Sequence, residues 1–245
     1  MLRKCIVTIL LTVSIFVPFN YAAYSDTASD HIREIMHGIH KAAVLTIYMQ
    51  SILPQTGAYK QDSKKSDIQR WDSPTLKTLM SHINKRLLQR ITARTPYVMD
   101  DGHESIMALG VLQISPASLF LPVKSRRDPK ALVVNSSAIE SLESKLQVDA
   151  IVLEVLDAPR RIDGHYVYNA LEGFGRVPSH VSTQGVFFVC TKDGLTAFRD
   201  PLTVDHPLTQ IGGRQFLLED WEEAENLMIE DFLDDWTRYT PDKKN

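Results

Sequence analysis

Between Ala150 and Leu156 the chain reads AIVLEVL, with Ala150 and Val152 on one face of an extended backbone and Ile151, Leu153 and Val155 on the other. A strand apolar on both faces belongs in the interior of a sheet covered on both sides, whereas a half-exposed strand alternates. Just before it, SAIESLESKL places Ile139, Leu142 and Leu146 at helical spacing, and Ser137 and Glu140 have the spacing of a capping box. Helix, tight connection and buried strand make half of an α/β unit. Two acids interrupt the pattern. Asp149 is expected to cap the helix-to-strand turn or sit at the solvated rim of the sheet. Glu154 must lie near an edge or find a partner, because an unpaired buried carboxylate costs several kcal/mol or takes up a proton.

The other segments fit the same class. DHIREIMHGIHKAA spaces Ile32, Ile35, Met36 and Ile39 as a short helix, and Ala42 to Leu53 reads as a first buried strand or a continuation of that helix. SPTLKTLMSHINKRLLQRI is the clearest helix, with Ser73 as N-cap, Pro74 at the first helical position and Leu76, Leu79, Met80, Ile83, Leu87 and Ile91 on one face. Its Lys77, Lys85, Arg86 and Arg90 read as a solvated face or as a contact for an anionic partner. TPYVMDD is a short strand, HESIMALGVLQ weakly helical, and SPASLFLPVKSRRDP irregular. HYVYNALEGFGR, GVFFVCT and LTAFRD read as antiparallel strands, the last two joined through Asp193-Gly194.

The chain closes on EDWEEAENLMIEDFLDDW, an amphipathic helix with Trp221, Ala224, Met228, Phe232 and Trp236 along one stripe. Nine acids and no base lie between Glu219 and Asp235, which reads as a solvated outer face or a docking surface for a basic partner. The expected fold is therefore α/β with an α+β tendency: a mixed sheet flanked by helices, an antiparallel C-terminal hairpin and an amphipathic C-terminal helix.

The N-terminus is of a different kind. Arg3 and Lys4 precede an apolar core from Cys5 to Phe19, and small residues follow at Ala22, Ala23 and Ser25, the order of a secretory signal peptide. The core is shorter than the roughly 20 residues that cross a bilayer. Residues 1–25 are expected to be a signal cleaved before Asp26. Then come a helical lead-in over 26–41, one α/β domain over 42–240 with an exposed loop at 54–72, and a polar tail at 241–245. An uncleaved segment would instead tether the protein to the inner membrane, the one route to membrane contact. Cleavage leaves Cys190 as the single cysteine, so no internal disulfide is expected. In its strand-like run it reads as a buried, inert thiol. Taking Arg3 and Lys4 from 27 basic residues against 30 acids gives a mature net charge of −5, which argues against a nucleic-acid partner.

No local arrangement compels a chemistry. The candidate metal cluster is MDDGHE, where Asp100, Asp101, His103 and Glu104 set carboxylates beside an imidazole. It satisfies no zinc or calcium spacing. His37 and His40 are at i, i+3 beside His31 but lack a carboxylate at metal-motif spacing; His82, His165, His180 and His206 are scattered. There is no G-x-S-x-G elbow, and GFG at Gly173 to Gly175 lacks the rest of a dinucleotide fingerprint. No catalytic residue, cofactor or resident metal is assigned.

The element order, together with Val148-Asp149-Ala150-Ile151-Val152-Leu153 and VCTKDGLTAFRD with its aromatic Phe198, resembles the TolB N-terminal-like α/β domains of bacterial envelope proteins. That group includes the lipoprotein activators of penicillin-binding proteins. The resemblance spans residues 42 to 200. It departs from the group in having no lipidation cysteine after the apolar core and in Val148 where a small residue is usual. It implies a non-catalytic module that binds another envelope protein. The expected function is thus that of an exported, periplasmic accessory protein acting by protein–protein contact. The alternative is a secreted hydrolase using His103 and its neighbouring acids, possible metal ligands.

Overall fold

A computed structural model describes residues 21–49, 73–100, 102–121, 131–169, 173–208 and 218–243. The signal core and the loop expected at 54–72 lie outside them. The order is α1 (Tyr21–His37), β1 (Lys41–Tyr48), α2 (Ser73–Arg94), β2 (Val98–Asp100), α3 (Gly102–Val111), a 3-10 turn at Pro116–Leu119, α4 (Ser136–Leu146), β3 (Ala150–Leu156), β4 (Arg160–Ile162), β5 (His165–Asn169), β6 (Gly173–Val177), β7 (His180–Thr191), β8 (Thr196–Pro207) and α5 (Leu218–Trp236). Among the described residues no helix is long and apolar enough to cross a membrane.

β2, β1 and β3 run parallel to one another, β7 pairs antiparallel with β3, and β8 pairs with β7. The sheet is mixed, as expected. β3 lies between β1 and β7 with every residue buried, because neither of its faces can be left in water. Val44, Tyr48, Val152, Phe187 and Val189 face α1, α2 and α5. Leu45, Ile47, Ile151, Leu153, Phe188 and Cys190 face α3, the 3-10 turn and α4. Each face removes its own apolar set from water, the main favourable term in folding such a layer.

The helices follow their stripes. Leu79, Ile83, Leu87 and Ile91 of α2 are buried, as are Trp221, Ala224, Met228, Phe232 and Trp236 of α5. Phe187 stacks on Phe232 at 4.2 Å and Phe232 on Trp236 at 5.2 Å, and the Trp236 indole donates to Met36 Sδ at 3.3 Å, fastening α1 as well. Gly185 of β7 makes room for this helix: a Cβ there would lie 2.7 Å from Met228 Sδ.

Several boundaries differ from the sequence pattern. β1 stops at Tyr48, and α1 extends back to Tyr21, through the expected cleavage point. The helix before β3 is capped at Asn135, not Ser137. Asn135 makes no side-chain cap bond and instead donates from Nδ2 to the Ser118 carbonyl at 2.9 Å. The two ends of HYVYNALEGFGR, β5 and β6, pair antiparallel in a two-stranded sheet apart from the main one. β8 continues through Pro201 to Pro207, which an edge strand tolerates because a missing ladder N–H there meets no neighbour.

The two charged faces that read as solvated largely answer each other. Arg86 pairs with Glu222, Arg90 with Glu230, and Arg94 with both Glu230 and Asp234. The basic rim of α2 thus meets the acidic rim of α5. These pairs are partly exposed and each is worth well under about 1 kcal/mol, so they set the pairing of the helices more than the stability.

Candidate functional site

Asp149 is a structural clamp. Its Oδ2 accepts from the backbone N–H groups of His40 and Lys41, both at 3.0 Å, while its own N–H donates to the Lys41 carbonyl at 2.8 Å. It ties the first residues of β1 to the start of β3 and so sets their parallel register, Ala42 opposite Ala150. Partial burial works against its ionised form, but the Lys41 and His40 amides more than offset that and hold its carboxyl below the usual 3.8. Asp149→Ala is expected to lower stability by about 2 kcal/mol, the scale of hydrogen bonds to a charged group. A carboxyl with a depressed folded pKa stabilises above its unfolded value and loses that contribution as pH falls through the folded one. The deficit, read from urea midpoints, is therefore expected near pH 6 and to fade below about pH 4.

The MDDGHE residues are distributed over a strand end and a helix start. Asp100 ends β2 and pairs with Lys41 Nζ at 2.7 Å, so it is engaged in joining β2 to β1. His103 and Glu104 fall in the first turn of α3, and Asp101 lies outside the described residues. His31 and His37 are on α1, and the His40 amide is held by Asp149. Among the described residues no group of three His, Cys, Asp or Glu side chains converges as a metal site would require. Cys190 is buried, and that burial pushes its thiol up to about 12, well away from reactivity.

The densest polar cluster lies elsewhere, between the sheet and the α2–α5 layer. Glu154 of β3 and Glu225 of α5 are both fully buried. Thr46 sits opposite Glu154 in the β1–β3 register, with its hydroxyl 2.8 Å from Glu154 Oε2 and 3.2 Å from Asn84 Oδ1. Asn84 Oδ1 also accepts from the Thr46 N–H at 3.2 Å, which fixes that atom as the amide oxygen. Thr46 has one hydroxyl proton and two acceptors beside it. With Glu154 ionised the Thr46 hydroxyl donates to it and its single proton is shared with Asn84; with Glu154 protonated, Glu154 can donate to Thr46 and Thr46 to Asn84, giving each contact its own proton. Glu225 Oε1 accepts from Thr183 Oγ1 at 2.6 Å and from the Trp221 indole at 2.7 Å. Among the described residues Glu154 Oε1 and Glu225 Oε2 have no hydrogen-bond partner.

Burial, then the charge of Glu225, drives the Glu154 carboxyl well above the ordinary carboxylate range, against the hydrogen bond from Thr46. Burial raises Glu225 to about 7, while Thr183 and Trp221 pull it back. The arrangement can hold protons near neutral pH. A cation would have to compete for Asn84 Oδ1, already engaged by Thr46.

Sequence reasoning singled out Glu154 but missed Glu225, Asn84 and Thr183. Glu225 stands four residues after Trp221 and three before Met228, and Asn84 four after Met80 and three before Leu87. Both therefore occupy the inward stripes of their helices. Glu143 is a second omission, four residues after Ile139 and buried.

The opposite side of the molecule carries exposed apolar side chains. On α3, Met107 and Val111 are 57% and 63% exposed at i, i+4 spacing. Leu121 and Val133, joined by the Leu121 N–H donating to the Val133 carbonyl at 2.8 Å, are exposed as well. Their neighbours Ala108, Leu109, Phe120, Leu132 and Val134 all bury into the same face of the sheet. Val98, 64% exposed, stands on the edge strand β2 immediately before α3.

No family model matches the chain, and no curated protein matches it. Among solved structures, the hypothetical protein CT253 from Chlamydia trachomatis aligns over 80% of this chain and 96% of its own, at 6% identity and a TM-score of 0.37.

Proposed function

We propose that this chain is an exported bacterial cell-envelope accessory protein that works by contact with another envelope protein rather than by catalysis. The observation that carries this reading is the set of exposed apolar residues on the α3 layer: Met107, Val111, Leu121 and Val133, with Val98 at the adjoining sheet edge. Isolated apolar residues on a surface need no explanation, whereas a contiguous exposed patch marks an interaction site, and these residues are gathered on one layer of the fold. The α3 helix is anchored from beneath by Ala108 and Leu109, so its outward residues are presented on a fixed element. The resemblance of VDAIVL and the β7–β8 hairpin to envelope interaction modules supports the reading. So does the apolar core behind Arg3 and Lys4, expected to direct export.

A double substitution, Met107→Glu with Val111→Glu, tests it. Both side chains are exposed, so the fold is expected to keep its midpoint within about 0.5 kcal/mol. Affinity capture from the native envelope is expected to retain a protein with the wild-type chain and to lose it, by tenfold or more, with the variant. An unchanged set of retained proteins would overturn the reading, as would stoichiometric zinc or manganese in the purified protein that disappears with His103→Ala.

A further inference from the structure

The seat of α5 on the sheet is divided into two halves of different character. Its C-terminal half is held by Phe232, stacked between Phe187 and Trp236, and by the ion pairs of Arg90 and Arg94 with Glu230 and Asp234. The N-terminal half, from Leu218 to about Met228, is seated by Trp221, Ala224 and Met228, and between them stands Glu225. Opposite is Glu154 of β3, whose charge is felt together with that of Glu225. Among the described residues neither carboxyl has a cation beside it. From α2 the facing group is the neutral Asn84, while Arg86 and His82 turn outward to Glu222. From β1 it is Thr46, with Tyr48 against Trp221 at 6.2 Å, and from β7 it is Thr183. Asp157, at the end of β3, is engaged by Arg160 and the Ala158 amide, and Asp220 is buried one turn earlier on α5.

We propose that Glu225 and Glu154 form a proton-operated latch: the N-terminal half of α5 is seated on the sheet while both carboxyls carry protons, and loss of the Glu225 proton to solvent unseats that half alone. Two observations of geometry carry this. The Thr46 hydroxyl has one proton for two acceptors, and a proton on Glu154 gives each contact its own. Glu225, in turn, leaves Oε2 without a partner among the described residues in a fully buried setting, where an ionised oxygen is far costlier than a neutral one. The cheapest relief is to carry Glu225 to water. Glu225 belongs to the movable helix, whereas Glu154 is fixed in the central strand, so α5 is the part that yields. The ligand of this site is the proton, and it couples ambient pH to exposure of the sheet face around Thr183 and Gly185.

Hydrogen exchange on the full chain at pH 6 and pH 8, corrected for intrinsic rates, tests the latch. Protection over residues 218–228 is expected to fall at least tenfold at pH 8 while residues 229–236 keep theirs. Glu225→Gln, an uncharged isostere, is expected to abolish the step, and Glu154→Gln to leave it at about the same pH, since a protonated Glu154 is as uncharged as the glutamine when Glu225 loses its proton. Unchanged protection over 218–228 would overturn the proposal, as would equal loss over 229–236 or a step surviving in Glu225→Gln. Restoration of wild-type protection at pH 8 by millimolar magnesium or calcium would also overturn it, since it would make the pair a cation site.

Discussion

Taking the protein from pH 8 to pH 5.5 is expected to raise its unfolding midpoint by about 10 °C, the reverse of ordinary acid destabilisation. Burial raises the carboxyls of Glu225 to about 7 and Glu143 to about 8, and that of Asp200 to about 6 with help from Asp235 and Asp231 on α5. Burial also raises Glu154 well above the ordinary carboxylate range. A carboxyl whose folded pKa lies above its unfolded value binds its proton more tightly when folded. It therefore carries no penalty below about pH 4.5, accumulates one as pH climbs, and carries the whole of it above the folded value. For Glu225, moving from 4.5 to about 7 costs about 3 kcal/mol once the pH exceeds both, at about 1.4 kcal/mol per unit. About 2 kcal/mol of that is recovered between pH 8 and pH 5.5, which in a domain of this size is about 4 to 8 °C. Glu143, packed beneath the β7–β8 turn, adds in the same direction, its shift moderated by the nearby Gly194 amide. The gain stops below about pH 4, where Asp149 begins to lose its clamp. Glu225→Gln is expected to flatten the profile between pH 6 and 8 and to be more stable than wild type at pH 8. Scanning calorimetry across pH measures both, and a midpoint that holds steady or rises toward pH 8 would refute the account of these acids.

The second large effect is expected at Gly194→Ala, with a loss of about 3 kcal/mol. Gly194 has φ +67°, a region that costs an L side chain roughly 1–2 kcal/mol. A Cβ there would also lie 2.2 Å from the Ser136 carbonyl oxygen at the head of α4. Both neighbours are backbone, so the turn or the helix must shift, at the scale of an overpacked core. Gly110→Ala is the control, since it has an ordinary φ and a Cβ added there would meet nothing within 4 Å. It is expected to gain about 0.5 kcal/mol from helix propensity. Equal urea midpoints for the two variants would contradict this reading of the turn.

The features legible in the sequence were those whose signal is local and redundant. AIVLEVL had to be interior because both of its faces are apolar, and it lies between β1 and β7. The stripes of α2 and α5 repeat over several turns, and Asp193-Gly194 supplies the positive φ that its turn requires. What escaped was decided by partners distant in sequence. LTAFRD reads as a strand only as far as Asp200, but β8 is an edge strand and continues through Pro201 to Pro207. Ser137 had capping-box spacing, yet the chain enters the helix at Asn135, which the Ser118 carbonyl engages. The acids of α5 looked solvated because their cations belong to α2, more than a hundred residues earlier. Glu225 and Asn84 sat on inward stripes by spacing but were passed over by residue type, since only a facing Thr183 or Thr46 lets such groups be buried. Of the candidate cluster, Asp100 proved to be tied to Lys41 across the β1–β2 pair. The exposed α3 layer is not legible in the pattern, because HESIMALGVLQ is only weakly helical and carries apolar residues on more than one face, so spacing does not say that Met107 and Val111 stay outside.

The reading of the chain as a contact protein is tested most directly by a photocrosslinking residue placed at Val111 and, in a separate chain, at Leu195, which is equally exposed and apolar but lies at the β7–β8 turn. Irradiation of intact cells is expected to give a discrete adduct with a second envelope protein from position 111 and none from position 195. The absence of an adduct at 111, or the same adduct from both positions, would contradict the account.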